Sequence, residues 1–203
     1  MFNHYIWDFD GTLYDTYPVI LDSFIKALAQ FGVEANDRSV YQTLKAYSSK
    51  ELAHDFQLPF DQLTRVYKSI ESSDMRVPRP YDGAKEIVEW VIQNGGTNYI
   101  LTHRDTTSTR QLLKEDRLLN NFEEIIGSES PFPRKPAPDA IQYLLEKYQM
   151  NPNETVMIGD RNMDILAGKT AGIQTIFFDE DQILQNVPAT FRVSHLLDIR
   201  QIG

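Results

Sequence analysis

The sequence predicts an α/β fold: a doubly wound parallel sheet carrying a small all-helical domain. Three observations lead there. From residue 81 onward, short apolar runs alternate with helical patterns, as parallel strands joined by right-handed crossovers do. One further apolar run, Tyr5-Ile6-Trp7, stands alone near the start. Between them, residues 15–80 read as helix throughout. The sheet domain is therefore discontinuous, about 1–14 and 81–203, with a helical cap at about 15–80. Tyr14-Asp15 and Pro78-Arg79-Pro80 would be its hinges.

Each element has a local reason. Tyr5-Ile6-Trp7 is apolar throughout, as a buried strand requires, and Gly11 breaks it. Thr16 and Pro18 suit a helix start, Ile20, Phe24, Ala27, Leu28 and Phe31 recur at helical spacing, and Gly32 suits the stop. A second helix follows Asp37, around Val40 to Ala46. Ser48 and Glu51 form a capping box for a third, with Leu52 and Phe56 on one face. A fourth runs from about Phe60 to Ser72. In the second block, helices are expected over about 83–93, 106–115, 138–148 and 163–171, the last closed by Gly172. Strands are expected at 99–101, 124–126, 156–158, 173–178 and 191–193.

Composition narrows the function. The 203 residues are 41% hydrophobic, enough for a sizeable core, and the formal net charge is −9. An acidic chain without basic runs repels phosphate backbones, so no nucleic-acid or anionic-membrane partner is expected. The absence of cysteine excludes disulfides, thiolate nucleophiles and zinc-thiolate sites. No signal peptide and no bilayer-spanning run is visible, so a cytoplasmic protein is the expectation. Oligomeric state is left open between monomer and homodimer.

The chemistry gathers at strand ends. Asp8-Phe9-Asp10-Gly11-Thr12-Leu13 follows the first strand, and two carboxylates two apart point the same way because side chains alternate. Side by side they repel unless a cation or a proton intervenes. That makes them candidates for a metal site and for a nucleophile with an acid/base partner. The strand at 99–101 ends in Thr102-His103-Arg104, where a hydroxyl before a helix start is a ready phosphate site. Taken alone, Thr102 would more simply cap the next helix. Lys135 precedes Pro136-Ala137-Pro138 and could reach an anion at the sheet edge. The strand at 156–158 leads to Gly159-Asp160-Arg161-Asn162-Met163-Asp164, whose two aspartates are four apart at a helix start and can face one side. All four signals fall at carboxyl ends of predicted strands, the edge where such sheets bind ligands. Four carboxylates and one lysine there call for a divalent cation, and an all-oxygen set suits Mg²⁺.

These residues resemble the haloacid dehalogenase-like hydrolase superfamily, in the branch with a helical cap inserted after the first strand, the branch of the phosphoglycolate phosphatases and β-phosphoglucomutases. The resemblance covers nearly the whole chain. Its four motifs stand in order: Asp8-Phe9-Asp10-Gly11-Thr12, Thr102, Lys135 before Pro136, and Gly159-Asp160 with Asp164. The resemblance implies a Rossmann-like core and a Mg²⁺-dependent phosphatase acting on a small phosphorylated metabolite. In such enzymes Asp8 would be the nucleophile and Asp10 the acid/base. Asp8, the Asp10 carbonyl and Asp160 would hold Mg²⁺, with Asp164 a support rather than a direct ligand. Gly11, Thr12, Thr102 and Lys135 would bind the phosphoryl group, and Lys135 would orient Asp8.

Asp10 argues for phosphoryl transfer, since the dehalogenating relatives lack this second acid. A phosphomutase, a phosphonatase or a catalytically silent binding protein on the same fold are the alternatives. The cap would close over the phosphate and read the leaving group, with Lys50, His54, Tyr14 and Tyr17 as candidate specificity residues. Ala46 stands where many relatives have glycine. Lys45, Lys50 and Lys68 all lie in the cap, where a surface role is expected of each. His103 and Arg104 could add a phosphate or carboxylate contact, or begin the next helix.

Overall fold

The computed structural model describes residues 2–202. The chain forms two compact units, one of Met1–Tyr14 and Pro80–Gly203, the other of Asp15–Arg79.

The larger unit is built on a six-stranded parallel sheet. Its strands are β1 (His4–Trp7), β4 (Thr97–Leu101), β5 (Phe122–Ile126), β6 (Thr155–Gly159), β7 (Gln174–Phe178) and β8 (Phe191–Val193), in the order β5-β4-β1-β6-β7-β8. β1 is central: His4 pairs with Thr97 on one side and Thr155 on the other. Four helices cross between strands: α5 (Ala84–Gln93), α6 (Thr106–Glu115), α7 (Asp139–Lys147) and α8 (Asn162–Thr170).

Side-chain alternation sends β1 into two cores. Tyr5 and Trp7 join a cluster with Ile87, Val88 and Val91 of α5, whereas Ile6 joins one with Ile141 and Leu144 of α7. Burial on both faces explains why β1 reads as continuously apolar. Removing Ile6 from water completely contributes roughly 1.5–3 kcal/mol. One polar side chain enters this core satisfied: Asn98 accepts from Trp7 Nε1 at 2.8 Å and donates to the Val88 carbonyl at 3.0 Å.

The smaller unit contains α1 (Tyr17–Gln30), α2 (Asp37–Ala46), α3 (Ser49–Asp55) and α4 (Phe60–Ser73). Its own core gathers Phe24, Leu28, Val40, Leu44, Leu52 and Leu63. The Phe24 and Tyr67 rings stack with centroids 4.0 Å apart. The Ser48 hydroxyl accepts from the Glu51 amide at 3.2 Å, the first half of the expected capping box. Lys45 departs from the surface role expected of it. It is buried, with its ammonium 5.4 Å from the Tyr17 ring centre and 5.5 Å from that of Tyr41. Aromatic faces attract a desolvated cation. Lys50 and Lys68 are exposed.

The structure adds elements without a sequence signal. Two-residue strands β2 (Tyr14–Asp15) and β3 (Arg79–Pro80) pair as a separate ribbon, and 3₁₀ turns lie at Leu119–Asn121, Pro152–Glu154 and Leu196–Gln201. Among the described residues, no helix is long and apolar enough to cross a membrane.

Candidate active site

Asp8 follows the last residue of β1, and its amide still donates to the Ile158 carbonyl of β6 at 2.8 Å. The sheet ladder thus fixes its backbone. Beyond it the chain turns sharply. Gly11 adopts φ +80°, a conformation glycine enters without steric cost, and its amide donates to the Tyr14 carbonyl at 2.8 Å. The Phe9 ring, stacked on Tyr14 at 4.4 Å, points into the core between the two aspartates of the motif.

Lys135 organises the centre. Its ammonium lies 2.8 Å from Asp8 Oδ1 and 2.6 Å from Asp164 Oδ1, and donates to the Leu101 carbonyl at 2.9 Å. These three partners match the three donors of an ammonium. Asp8, Asp160 and Asp164 are all buried, and each offers a carboxylate oxygen within 4.8 Å of the others. Thr12, also buried, donates its hydroxyl to Asp160 Oδ1 at 3.2 Å. Asp164 is engaged at both oxygens, since Oδ2 accepts from the Arg161 amide at 3.0 Å.

Electrostatics follow from this crowding. Burial and the adjacent Asp164 carboxylate push Asp8 up to about 8, against the pull of Lys135 and with a further push from Asp160. For Lys135 burial works downward, but Asp164 and Asp8 outweigh it and hold the ammonium above the ordinary lysine value. Three carboxyl groups are thus crowded into one buried place beside Lys135. Buried carboxylates of this kind are relieved by a divalent cation, and an all-oxygen donor set suits a hard one. The residues fit such an ion, which Asp8 and Asp160 could hold, with Asp164 braced by Lys135 and the Arg161 amide.

Gly159 ends β6 beside this group for a steric reason. A Cβ on it would lie 2.3–2.5 Å from Asp164 side-chain atoms. Gly159→Ala is expected to displace Asp164 and lower stability by about 1–3 kcal/mol, as overpacking of a filled interior does. Urea unfolding checks it, and a loss under about 0.5 kcal/mol would show that Asp164 has room to yield.

At the end of β4, Thr102 is buried and its hydroxyl accepts from the Arg104 amide at 3.0 Å. His103 has a buried Nε2 without a hydrogen-bond partner. Burial, helped by Lys135, Arg134 and Arg161, pushes its imidazole down to about 2, so it stands neutral among these cations. Arg104 turns to Asp10. Its Nε and Nη2 lie 2.9 and 2.8 Å from Asp10 Oδ1. Asp10 therefore stands with Arg104, while Asp8, Asp160 and Asp164 gather as a buried group in which Asp8 and Asp164 meet Lys135.

Sequence reasoning misses this pairing, because nothing local joins residues 10 and 104. It also misses Arg134, which donates to the His103 carbonyl at 3.1 Å. Among the specificity candidates, Lys50 and His54 are exposed on α3. Tyr17 is buried, edge-on to Tyr41. The Tyr14 hydroxyl donates to Asp116 Oδ2 at 2.8 Å inside the larger unit, which accounts for it structurally.

Known proteins are similar to this chain. A phosphoglycolate phosphatase of Vibrio parahaemolyticus is 27% identical over 82% of this chain and 78% of its own length. The pyrophosphatase PpaX of Anoxybacillus flavithermus is also 27% identical, over 85% and 81%. The crystal structure of a hydrolase from Streptococcus pneumoniae is 30% identical, covers 99% of this chain and 97% of its own, and superposes with a TM-score of 0.63. Residues 5–178, most of the chain, match one family: the chain belongs to the haloacid dehalogenase-like hydrolases.

Proposed function

We propose that the chain is a Mg²⁺-dependent phosphatase for a small phosphorylated metabolite, working through an aspartyl-phosphate on Asp8. The observation that carries this is the buried Asp8, with one oxygen held by Lys135 and a separate, partly exposed carboxylate, Asp10, two residues on. Relatives named for phosphoglycolate and for pyrophosphate support a phosphate-bearing substrate.

Each residue then has a task. With Oδ1 on Lys135, Asp8 keeps Oδ2 to attack the phosphorus in line with the leaving oxygen. Asp10 gives its proton to that oxygen as the P–O bond breaks. It then takes a proton from the water that attacks the aspartyl-phosphate, which releases phosphate and restores Asp8. The Thr102 hydroxyl and Lys135 bind phosphoryl oxygens, and Lys135 also fixes the attacking carboxylate. A Mg²⁺ ion held by Asp8, Asp160 and the Asp10 main-chain carbonyl would supply neutralising charge for nucleophile and phosphoryl group alike. Thr12 and Asp164 brace that set from behind.

The test is phosphate release across a panel of phosphorylated metabolites, with Mg²⁺ and with EDTA. Release is expected in Mg²⁺, to be lost in EDTA and restored by added Mg²⁺. Folded protein that releases phosphate from no panel member with Mg²⁺ present would overturn the reading.

A further inference from the structure

The proton-carrying step needs an aspartate held in place. Asp10 lies outside the buried group of Asp8, Asp160 and Asp164, and its partly exposed side chain needs a partner to hold it. From the Arg104 contact we infer that Arg104 is the positioning residue of the reaction. It fixes one oxygen of Asp10 so that the other is presented to the leaving group. The inference rests on the phosphatase reading above.

Three features support it. The first is the form of the contact. Arginine commonly meets a carboxylate fork to fork, with one bond to each oxygen. Here Nε and Nη2 converge on Oδ1, at 2.9 and 2.8 Å. Oδ2 is left to carry the proton.

The second is the anchoring of Arg104 itself. Its amide donates to Thr102 Oγ1 at 3.0 Å, and its carbonyl accepts from the Ser128 amide at 3.0 Å. The preceding carbonyl, that of His103, is pinned by Arg134. Gly127 permits this close approach, since a Cβ there would lie 2.9 Å from the Arg104 carbonyl oxygen and 2.7 Å from the Thr106 nitrogen. The guanidinium is thus delivered from a backbone fixed on both sides, and the same turn sets the phosphate-binding hydroxyl of Thr102. One short segment ties the place where the phosphoryl group binds to the place where its proton comes from.

The third is intermediate burial. The Arg104 and Asp10 side chains are 17% and 22% exposed. That is enough shielding for the contact to hold and enough access for a substrate oxygen to reach the acid.

Leaving-group dependence separates this role from a merely structural one. An alkyl phosphate expels a poor leaving group that needs its proton, whereas p-nitrophenyl phosphate expels a good one that does not. The value of kcat/KM reports phosphoryl transfer to Asp8, up to the first irreversible step. The Arg104→Gln variant, loaded with Mg²⁺, is expected to lose at least about tenfold more kcat/KM on the best alkyl phosphate of the panel than on p-nitrophenyl phosphate. Arg104→Lys, which keeps the charge without the two-donor hold, should recover part of the difference. Asp10→Asn should show the same bias, and adding Arg104→Gln to it should cost less than about twofold more.

Equal losses on the two esters would overturn the inference. So would a full additional loss on top of Asp10→Asn, which is what direct contact between Arg104 and an anionic substrate predicts. If Arg104→Gln does not fold by thermal unfolding, Arg104→Lys takes its place in the same two-ester comparison, with equal losses again overturning the role. Natural protein inactive on both esters, and on the panel, would sink the phosphatase reading and this role together. Natural protein active on both, with the ratio unchanged in the variants, would sink only the role of Arg104.

Discussion

Asp8→Asn is expected to reduce Mg²⁺-dependent phosphate release by roughly 10⁴-fold or more, the scale seen when a covalent nucleophile is removed. The amide has nearly the same shape but no negative oxygen with which to attack phosphorus. The same change should leave the metal-free protein at least as stable, by about 1 kcal/mol. Asp8 is buried beside Asp160 and Asp164, and Lys135 opposes the crowding. A neutral amide relieves it, while Lys135 keeps Asp164 and the Leu101 carbonyl as partners. Urea unfolding in EDTA reads the stability, and phosphate release on the best panel substrate reads the activity. Turnover above about 1% of natural would mean that another group attacks the phosphorus. A destabilisation above about 1 kcal/mol would mean that the Asp8–Lys135 contact outweighs the repulsion.

Lys135→Met carries the largest expected loss of stability, about 3–5 kcal/mol without metal. Asp8 and Asp164 would be left buried with no cation, and the Leu101 carbonyl with one donor fewer. An exposed pair of similar length, Lys26 with Asp22 at 2.9 Å, is worth at most about 1 kcal/mol because water solvates both partners. Adding Asp164→Asn to the Lys135→Met chain should restore part of the loss, since one of the stranded charges disappears. Denaturant midpoints of the single and double variants measure both effects. A loss below about 1 kcal/mol for Lys135→Met, or no recovery in the double variant, would show that the buried carboxylates do not depend on this lysine.

Much of this site is legible in the sequence because its residues sit at strand ends with local signatures. Three apolar residues followed by Asp-x-Asp-Gly mark both a strand and its termination, and the sheet then has one edge on which to collect them. Helix α6 is legible at its full extent, since Asp105 caps it and its side chain accepts from the Ser108 amide at 2.8 Å. Strand β4 reads two residues short. Its first residues, Thr97 and Asn98, are polar, and Asn98 is made acceptable inside by Trp7 and Val88, neither near it in sequence.

Lys45 escapes a sequence reading for a related reason. A lysine on a polar helix reads as solvated, and the rings that cover it come partly from another helix. The Arg104–Asp10 contact joins two motifs that each make sense alone. Periodicity and capping speak only of near neighbours, so pairings made by the closed sheet lie beyond them.

The central place of β1 governs when the site can exist during synthesis. Its partners begin at Thr97 and Thr155, so the strand bearing the nucleophile leaves the ribosome long before either neighbour. At about 5–20 residues per second, roughly ten to thirty seconds separate β1 from β6. Until Thr97–Leu101 emerges, Tyr5-Ile6-Trp7 has neither partner strand, while the helical residues that follow can already gather their own core around Phe24, Leu28 and Leu52. Closure of the sheet is therefore a late, non-local and slow event. A chain halted before β6 would lack Asp160 and Asp164, and the β6-facing edge of its first strand would be open to holdase chaperones and to pairing with other unfinished chains.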